Sequence, residues 1–189
     1  MHHLSTSFVL GYHGCDKTVG ETLLSGKTNF QLSNNDYDWL GPGVYFWESD
    51  PERAYEFAVE KKRRGDKIKT PFVVGAVIDM GYCLDLTTKS SIEAISNAHL
   101  KLTQLFNETN QPLPVNGPEK WSRRLDCAVI KTLHSIIEST GEESIDTVRG
   151  IFFEGGAVYD GSEFNKKTHS QISVVNLNQI KAVFRVPKS

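Results

Sequence analysis

Apolar positions in this chain fall into short runs and helical stripes, separated by Gly-, Pro- and Asn-rich breaks. Phe8-Val9-Leu10-Gly11-Tyr12, within Ser5 to Gly14, reads as a first buried strand that stops at His13-Gly14. Thr18 to Leu24 reads as a short helix with a Thr18/Glu21 capping box. Ser25 to Asp38 is polar and turn-rich. Leu40-Gly41-Pro42-Gly43-Val44-Tyr45-Phe46-Trp47 is a turn signal running into a β-branched and aromatic strand. An amphipathic helix follows from Pro51 to about Arg64, with Ser49 or Asp50 as N-cap and Pro51 at the first helical position. Its end carries Lys61-Lys62-Arg63-Arg64 before Gly65, the expected cationic last turn and glycine stop.

Pro71 to Met80 is the most strand-like run and reads as a central strand covered on both faces, with Cys83 to Leu86 continuing it or forming a second. Thr88 or Ser90 caps a helix with Ile92, Ile95, Leu102, Leu105 and Phe106 as its apolar positions. Asn107 to Glu119 is a loop, and Trp121 to Ile137 returns to helix with Trp121, Leu125, Ala128, Val129, Leu133, Ile136 and Ile137 on one face. The last third gives four short strands: 148–153, 157–159, 172–176 and 179–186. This order predicts an α+β fold with antiparallel or mixed sheets, not an alternating doubly wound one.

Length changes this picture little: 189 residues make one domain, 1–189, with residues 88–140 as a mainly helical insertion. A chain of this size buries about 70% of its unfolded surface. Hydrophobic content of 39%, charge of 23% and a net charge of −2 give no global attraction for nucleic acid or an anionic membrane. No apolar run approaches the ~20 residues of a membrane helix. Met1-His2-His3-Leu4 has no cationic or long apolar leader, so a cytoplasmic location without membrane association is expected. Cys15, Cys83 and Cys127 are odd in number and show no ligand spacing, which suggests reduced thiols, no disulfide framework and no metal.

Gly41-Pro42-Gly43 lacks the third glycine and the strand-before-helix setting of a dinucleotide fingerprint. No phosphate-loop, nucleophile-elbow or zinc-helix motif occurs. A Cys15–His13 dyad lacks an identifiable third orienting residue. The distinctive feature is a pairing of strand-edge signals: Tyr12-His13-Gly14-Cys15 ends one strand, and Gly41-Pro42-Gly43-Val44-Tyr45-Phe46 begins the next. His169-Ser170-Gln171-Ile172-Ser173-Val174 and then Gln179 to Val186 follow near the C-terminus. In that order these segments resemble the ADP-ribosyltransferase fold of the poly(ADP-ribose) polymerase and diphtheria-toxin branch. The similarity lies in three short motifs and in their arrangement over most of the chain.

The resemblance implies a split sandwich of two antiparallel or mixed sheets with flanking helices, binding NAD as substrate. His13 would bond the adenosine-ribose 2′-hydroxyl, and Gly14 backbone groups would pair with the nicotinamide carboxamide. Tyr45 would stack on the nicotinamide ring, with Tyr55 or Phe57 as the second aromatic, Phe57 being preferred. The family's Glu falls on Gln171, giving a His-Tyr-Gln set in which the acceptor oxygen is kept and the charge lost. Glu154 and Glu163, in the late loops, are candidates for a replacement acid or for the acceptor side.

The implied activity is mono-ADP-ribosyl transfer to RNA, DNA or protein, in the manner of a toxin or phage-defence effector with a cognate antitoxin or inhibitor. The competing readings are NAD hydrolysis and a catalytically weak module that holds NAD or ADP-ribose. Plainer roles stand beside each residue: His13 as a satisfied polar side chain, Tyr45 and Phe46 as core aromatics, and Gln171 as an ordinary strand position. In the same plain reading Glu154 is a turn residue, and Lys61 to Arg64 and Arg123-Arg124 are solvated cations, although an acceptor phosphate backbone would also suit the arginines.

Overall fold

The computed structural model describes residues 2–3 (backbone only), 8–118 and 122–187. Glu119, Trp121 and the Ser5 end of the expected first strand lie outside them. The elements are β1 (His2–His3), β2 (Phe8–Asp16), α1 (Lys17–Leu24), β3 (Val44–Glu48), α2 (Pro51–Arg63), β4 (Pro71–Asp79) and β5 (Tyr82–Asp85). They continue with α3 (Lys89–Glu108), α4 (Arg124–Thr140), β6 (Thr147–Phe152), β7 (His169–Val174), a 3-10 turn over Leu177–Gln179 and β8 (Ile180–Arg185). The fold is mixed α+β.

The strands order as β1-β5-β6-β7-β3-β2-β4-β8. Every described pairing is antiparallel except β5–β6. One seam is thin. Strands β2 and β3 pair only at Gly11↔Glu48 and Tyr12↔Trp47, whereas β2 and β4 pair along nine positions, from Phe8↔Asp79 to Asp16↔Pro71. Past Tyr12 the strands part, and His13 Nδ1 reaches Tyr45 O at 2.8 Å where a ladder bond would otherwise sit. A continuous pairing thus joins β2-β4-β8 to β1-β5-β6-β7-β3, with an opening beside the seam.

One core spans the seam, and a second lies under α3 and α4. Phe46, Ile172 and Val174 meet Val74, Ala76 and Ile78 together with Leu23 of α1 and Phe30. Leu40, Leu84 and Val148 are covered by Ala98 and Leu102 of α3 and by Val129, Ile130, Leu133 and Ile137 of α4. Burying one such aliphatic side chain contributes about 1.5–3 kcal/mol.

Several boundaries differ from the sequence expectation. The first strand runs on through Cys15 to Asp16, because β4 supplies a partner that far. Asp16, not Thr18, caps α1 by accepting from Thr18 N–H at 2.9 Å. β4 is next to the sheet's edge strand β8, not central. Ile92 and Leu105 of α3 are exposed, while Ala98 on its other face is buried. The expected strand at 157–159 is only a bridge, Ala157↔Asn165, within the β6–β7 loop.

Candidate functional site

A cleft of about 1300 Å³ opens at the seam. It exceeds the ~300–1,000 Å³ typical of small-ligand pockets. His13, Gly14, Tyr45, Phe57, Glu154 and Gln171 all line it; Tyr55 and Glu163 do not. None of its lining comes from α3 or α4, so residues 88–140 back the sheet instead of covering the opening. A smaller hollow of about 460 Å³, between α1 and β8, is lined by Leu23, Phe30, Leu177 and Ile180 and carries no charged side chain.

His13 is partly buried against the edges of Phe30 and Phe46, at centroid distances of 5.5 and 5.7 Å. Burial, first, and the charge of Lys61 lower its pKa, against the opposing bond to the Tyr45 carbonyl. The neutral imidazole therefore carries its proton on Nδ1, since the carbonyl can only accept, and Nε2 is left as an acceptor. Next to it, Leu10 O accepts from Ser49 N–H across the seam at 2.9 Å. Alternate strand residues direct their backbone groups to the same neighbour, so those of Tyr12 and Gly14 also face β3. The β2–β3 ladder ends at Tyr12, which leaves the Gly14 N–H and C=O facing the opening.

The glycines have a different purpose from the one the sequence suggests. A Cβ on Gly14 would lie 2.1 Å from Ala54 O of α2, so its absence lets the helix approach the strand. Gly41, at φ +74, and Gly43, at φ +150, would drive a Cβ into Ile130 and Ser173 respectively. Their missing side chains face protein, not a flat ligand.

Tyr45 clasps the turn that precedes it. Its hydroxyl donates to Gly41 O at 2.8 Å and accepts from Leu40 N–H at 3.0 Å. Burial pushes its pKa well above the ordinary value, so the hydroxyl stays protonated while the ring borders the cleft. On α2, Arg53, Phe57, Glu60, Lys61 and Arg64 share one helical face and all reach the cleft. Tyr55 lies two positions off that face and is 49% exposed. Phe57 packs on Trp47 at 4.7 Å, with the Lys61 ammonium 5.1 Å from its ring centre.

Gln171 departs from expectation in a specific way. Its Oε1 accepts from Trp39 Nε1 at 2.6 Å. An indole N–H only donates, which fixes the amide orientation and occupies one lone pair of the oxygen. Gln171 is left with its amide N–H donors and the second lone pair of an oxygen already engaged by Trp39. Glu154 lines the cleft but is held by Arg53 Nη2 at 2.9 Å, which offsets its charge. Glu163 is exposed in the β6–β7 loop.

Cys15 is buried and its thiol is pushed up to about 11, mainly by desolvation, so it is no thiolate nucleophile, and His13 points its Nδ1 at Tyr45 instead. Arg123 and Arg124 are engaged by Asp126 and Asp36. Lys61 and Arg64 line the cleft and are not merely a solvated helix end. Trp39, Trp47, Arg53 and His169 belong to the cleft but escaped the sequence reading. His169 and Gln171 are i and i+2 on β7, a period-2 signal that could have flagged the first; Arg53 shares the Phe57 face. Trp39 sits in an irregular loop with no periodic signal.

Among the described residues no group of three or more His, Cys, Asp or Glu side chains is arranged to hold a metal ion, and no helix is long and apolar enough to cross a membrane. Comparison of the chain with family models, curated proteins and solved structures finds no match.

Proposed function

We propose that this protein is an NAD-dependent mono-ADP-ribosyltransferase acting on a macromolecular acceptor. The observation that carries the proposal is the meeting, around one cleft, of three segments far apart in sequence: His13-Gly14, Tyr45 and Gln171. Their strands β2, β3 and β7 are consecutive in the sheet, and the cleft opens where the first two part, in keeping with a split sandwich. NAD would lie bent across the seam. His13 Nε2 would accept from the adenosine-ribose hydroxyl, and the open Gly14 N–H and C=O would pair with the carboxamide. Tyr45 and Phe57 would bound the nicotinamide ring. The Gln171 amide would donate to a nicotinamide-ribose hydroxyl oxygen. The ring–ribose C–N bond then breaks, its electron pair passes to neutral nicotinamide, and the acceptor attacks the exposed anomeric carbon.

A second reading, an NAD- or ADP-ribose-binding module with little turnover, is favoured by Gln171, a neutral amide whose oxygen is already engaged by Trp39, which leaves no charge at that position. Incubation with labelled NAD, alone and with RNA, DNA or cell protein, separates the two. Transfer predicts label on one macromolecule with equal nicotinamide release. Free ADP-ribose alone would indicate hydrolysis, and binding without release the module. His13→Ala and Tyr45→Ala should each cut the activity by about 10²-fold, the usual weight of a positioning group at a reacting centre. Full activity in either variant would show that the site is misassigned.

A further inference from the structure

Three polar atoms of residues lining the cleft are shielded from solvent and have no hydrogen-bond partner: Trp47 Nε1, Arg53 Nε and His169 Nε2, whereas Arg53 Nη1 faces Glu60 Oε1 at 3.5 Å and Glu56 Oε2 at 3.7 Å. Native proteins rarely leave such groups unmatched, because each costs on the order of 1–3 kcal/mol. These three are grouped. Trp47 lies directly opposite Gln171 in the β3–β7 ladder, and His169 is two residues along the same face. The rings of Trp47 and His169 are 6.0 Å apart, and the charge of Arg53 is close enough to act on His169. All three residues line the cleft and are at least nine-tenths buried.

The donor and acceptor roles are fixed. His169 Nδ1 is 2.7 Å from Lys167 O, so it carries the proton and Nε2 presents a lone pair. Trp47 and Arg53 can only donate. The missing partner must accept from N–H groups and donate one hydrogen to a nitrogen. A hydroxyl does both. A carboxylate has no hydrogen to give. An ammonium or guanidinium has no lone pair to offer and would meet Arg53.

We propose that this corner is the acceptor subsite, that it takes an aliphatic hydroxyl group, and that His169 is the catalytic base that removes the hydroxyl proton. The inference rests on the transferase reading above and specifies its acceptor chemistry. The hydroxyl oxygen bonds to the anomeric carbon as the bond to nicotinamide breaks; the electron pair leaves with neutral nicotinamide. The hydroxyl proton passes to His169 Nε2 and from the imidazolium to solvent. Trp47 and Arg53 hold the oxygen while charge builds on it.

The charges facing His169 are Arg53 on α2, Glu154 in the β6–β7 loop and Asp50 before α2. Desolvation, the largest influence, holds its pKa below the ordinary 6.5 despite the bond to Lys167 O. The base form is therefore present at neutral pH and disappears only as the pH falls further into the acid range.

The test uses the full chain, labelled NAD and, as defined acceptors, methanol, a serine-containing peptide and a ribose-terminated oligonucleotide, each against water alone. Wild type is expected to form a hydroxylamine-resistant glycoside with at least one of the hydroxyl probes, with an acid limb in its rate below about pH 6.5. His169→Asn keeps a donor for Lys167 O but has no base. It should lower transfer by about 10²-fold or more while NAD affinity stays within about threefold, and the acid limb should vanish. His169→Gln, which places an amide near Nε2, should show the same loss. Full transfer with an unchanged pH profile in both variants would overturn the proposal. So would a hydroxylamine-labile product, which signals a carboxylate acceptor, or label passing to water alone. Failure of wild type to bind NAD or release nicotinamide would overturn the cleft reading itself, and this inference with it.

Discussion

In the proposed transferase, Gln171 is the residue at which charge would decide turnover. With its Oε1 held by Trp39, it can donate to a ribose hydroxyl but adds no negative charge as the ribose becomes cationic. Gln171→Glu should change that selectively. One carboxylate oxygen would keep the Trp39 N–H, and the other would face the cleft in place of the amide. If lack of charge limits the rate, nicotinamide release rises on the order of 10²–10³-fold, the weight of one well-placed electrostatic group. Because the position is only 8% exposed, the melting temperature should fall as the rate rises. A stability loss with no gain in release would show that charge at this position is not limiting, and would favour the binding-module reading.

At the scale of elements, Asp16 ties three segments together. Its carboxylate accepts from Thr70 N–H at 2.9 Å, Lys69 N–H at 2.8 Å and Thr18 N–H at 2.9 Å, so it caps α1 and anchors the approach to β4. These bonds, the one from Thr70 foremost, lower its pKa from 3.8 to about 2. A carboxyl held low in the folded state stabilises above its unfolded pKa, and that contribution is lost as pH falls through the folded one. Asp16→Asn should therefore melt below wild type at pH 6, with the gap closing between about pH 4 and pH 2. A gap constant with pH would contradict the assignment. The sequence announced α2 closely, with Ser49 or Asp50 left open as its cap, since Pro51 and the Lys61–Arg64 end are local signals that nothing overrides. It did not announce Asp16 as the cap, because the strand extended by its partner β4 placed the cap two residues before Thr18. Nor could it show that Gly14 serves Ala54, or that Trp39 holds Gln171 from 132 residues away, since such contacts exist only once the sheet is assembled. His13, Tyr45 and Phe57 line the cleft, but it was the family resemblance, not periodicity, that picked them out.

Across the whole molecule, the two halves of the sheet meet along two residue pairs, the Ser49–Leu10 and His13–Tyr45 bonds and a shared apolar core, and the cleft lies beside that joint. A ligand filling it would contact β2 on one side and β3 and β7 on the other, linking parts that the backbone ladder joins weakly. NAD at about 100 times its dissociation constant should then stabilise the fold by about 2.7 kcal/mol, read as a rise in melting temperature. It should also slow hydrogen exchange at Gly14 and along β3 more than in α3 or α4. The helical layer supplies an internal control. Leu102→Ala opens a cavity in the α3–α4 core, at a residue that does not line the cleft, and should cost about 2–5 kcal/mol while leaving the NAD-induced rise intact. Loss of that rise in Leu102→Ala would mean that the helices, not the seam, govern the cleft. A rise that persists there but vanishes in His13→Ala would locate ligand binding at the joint between the two halves.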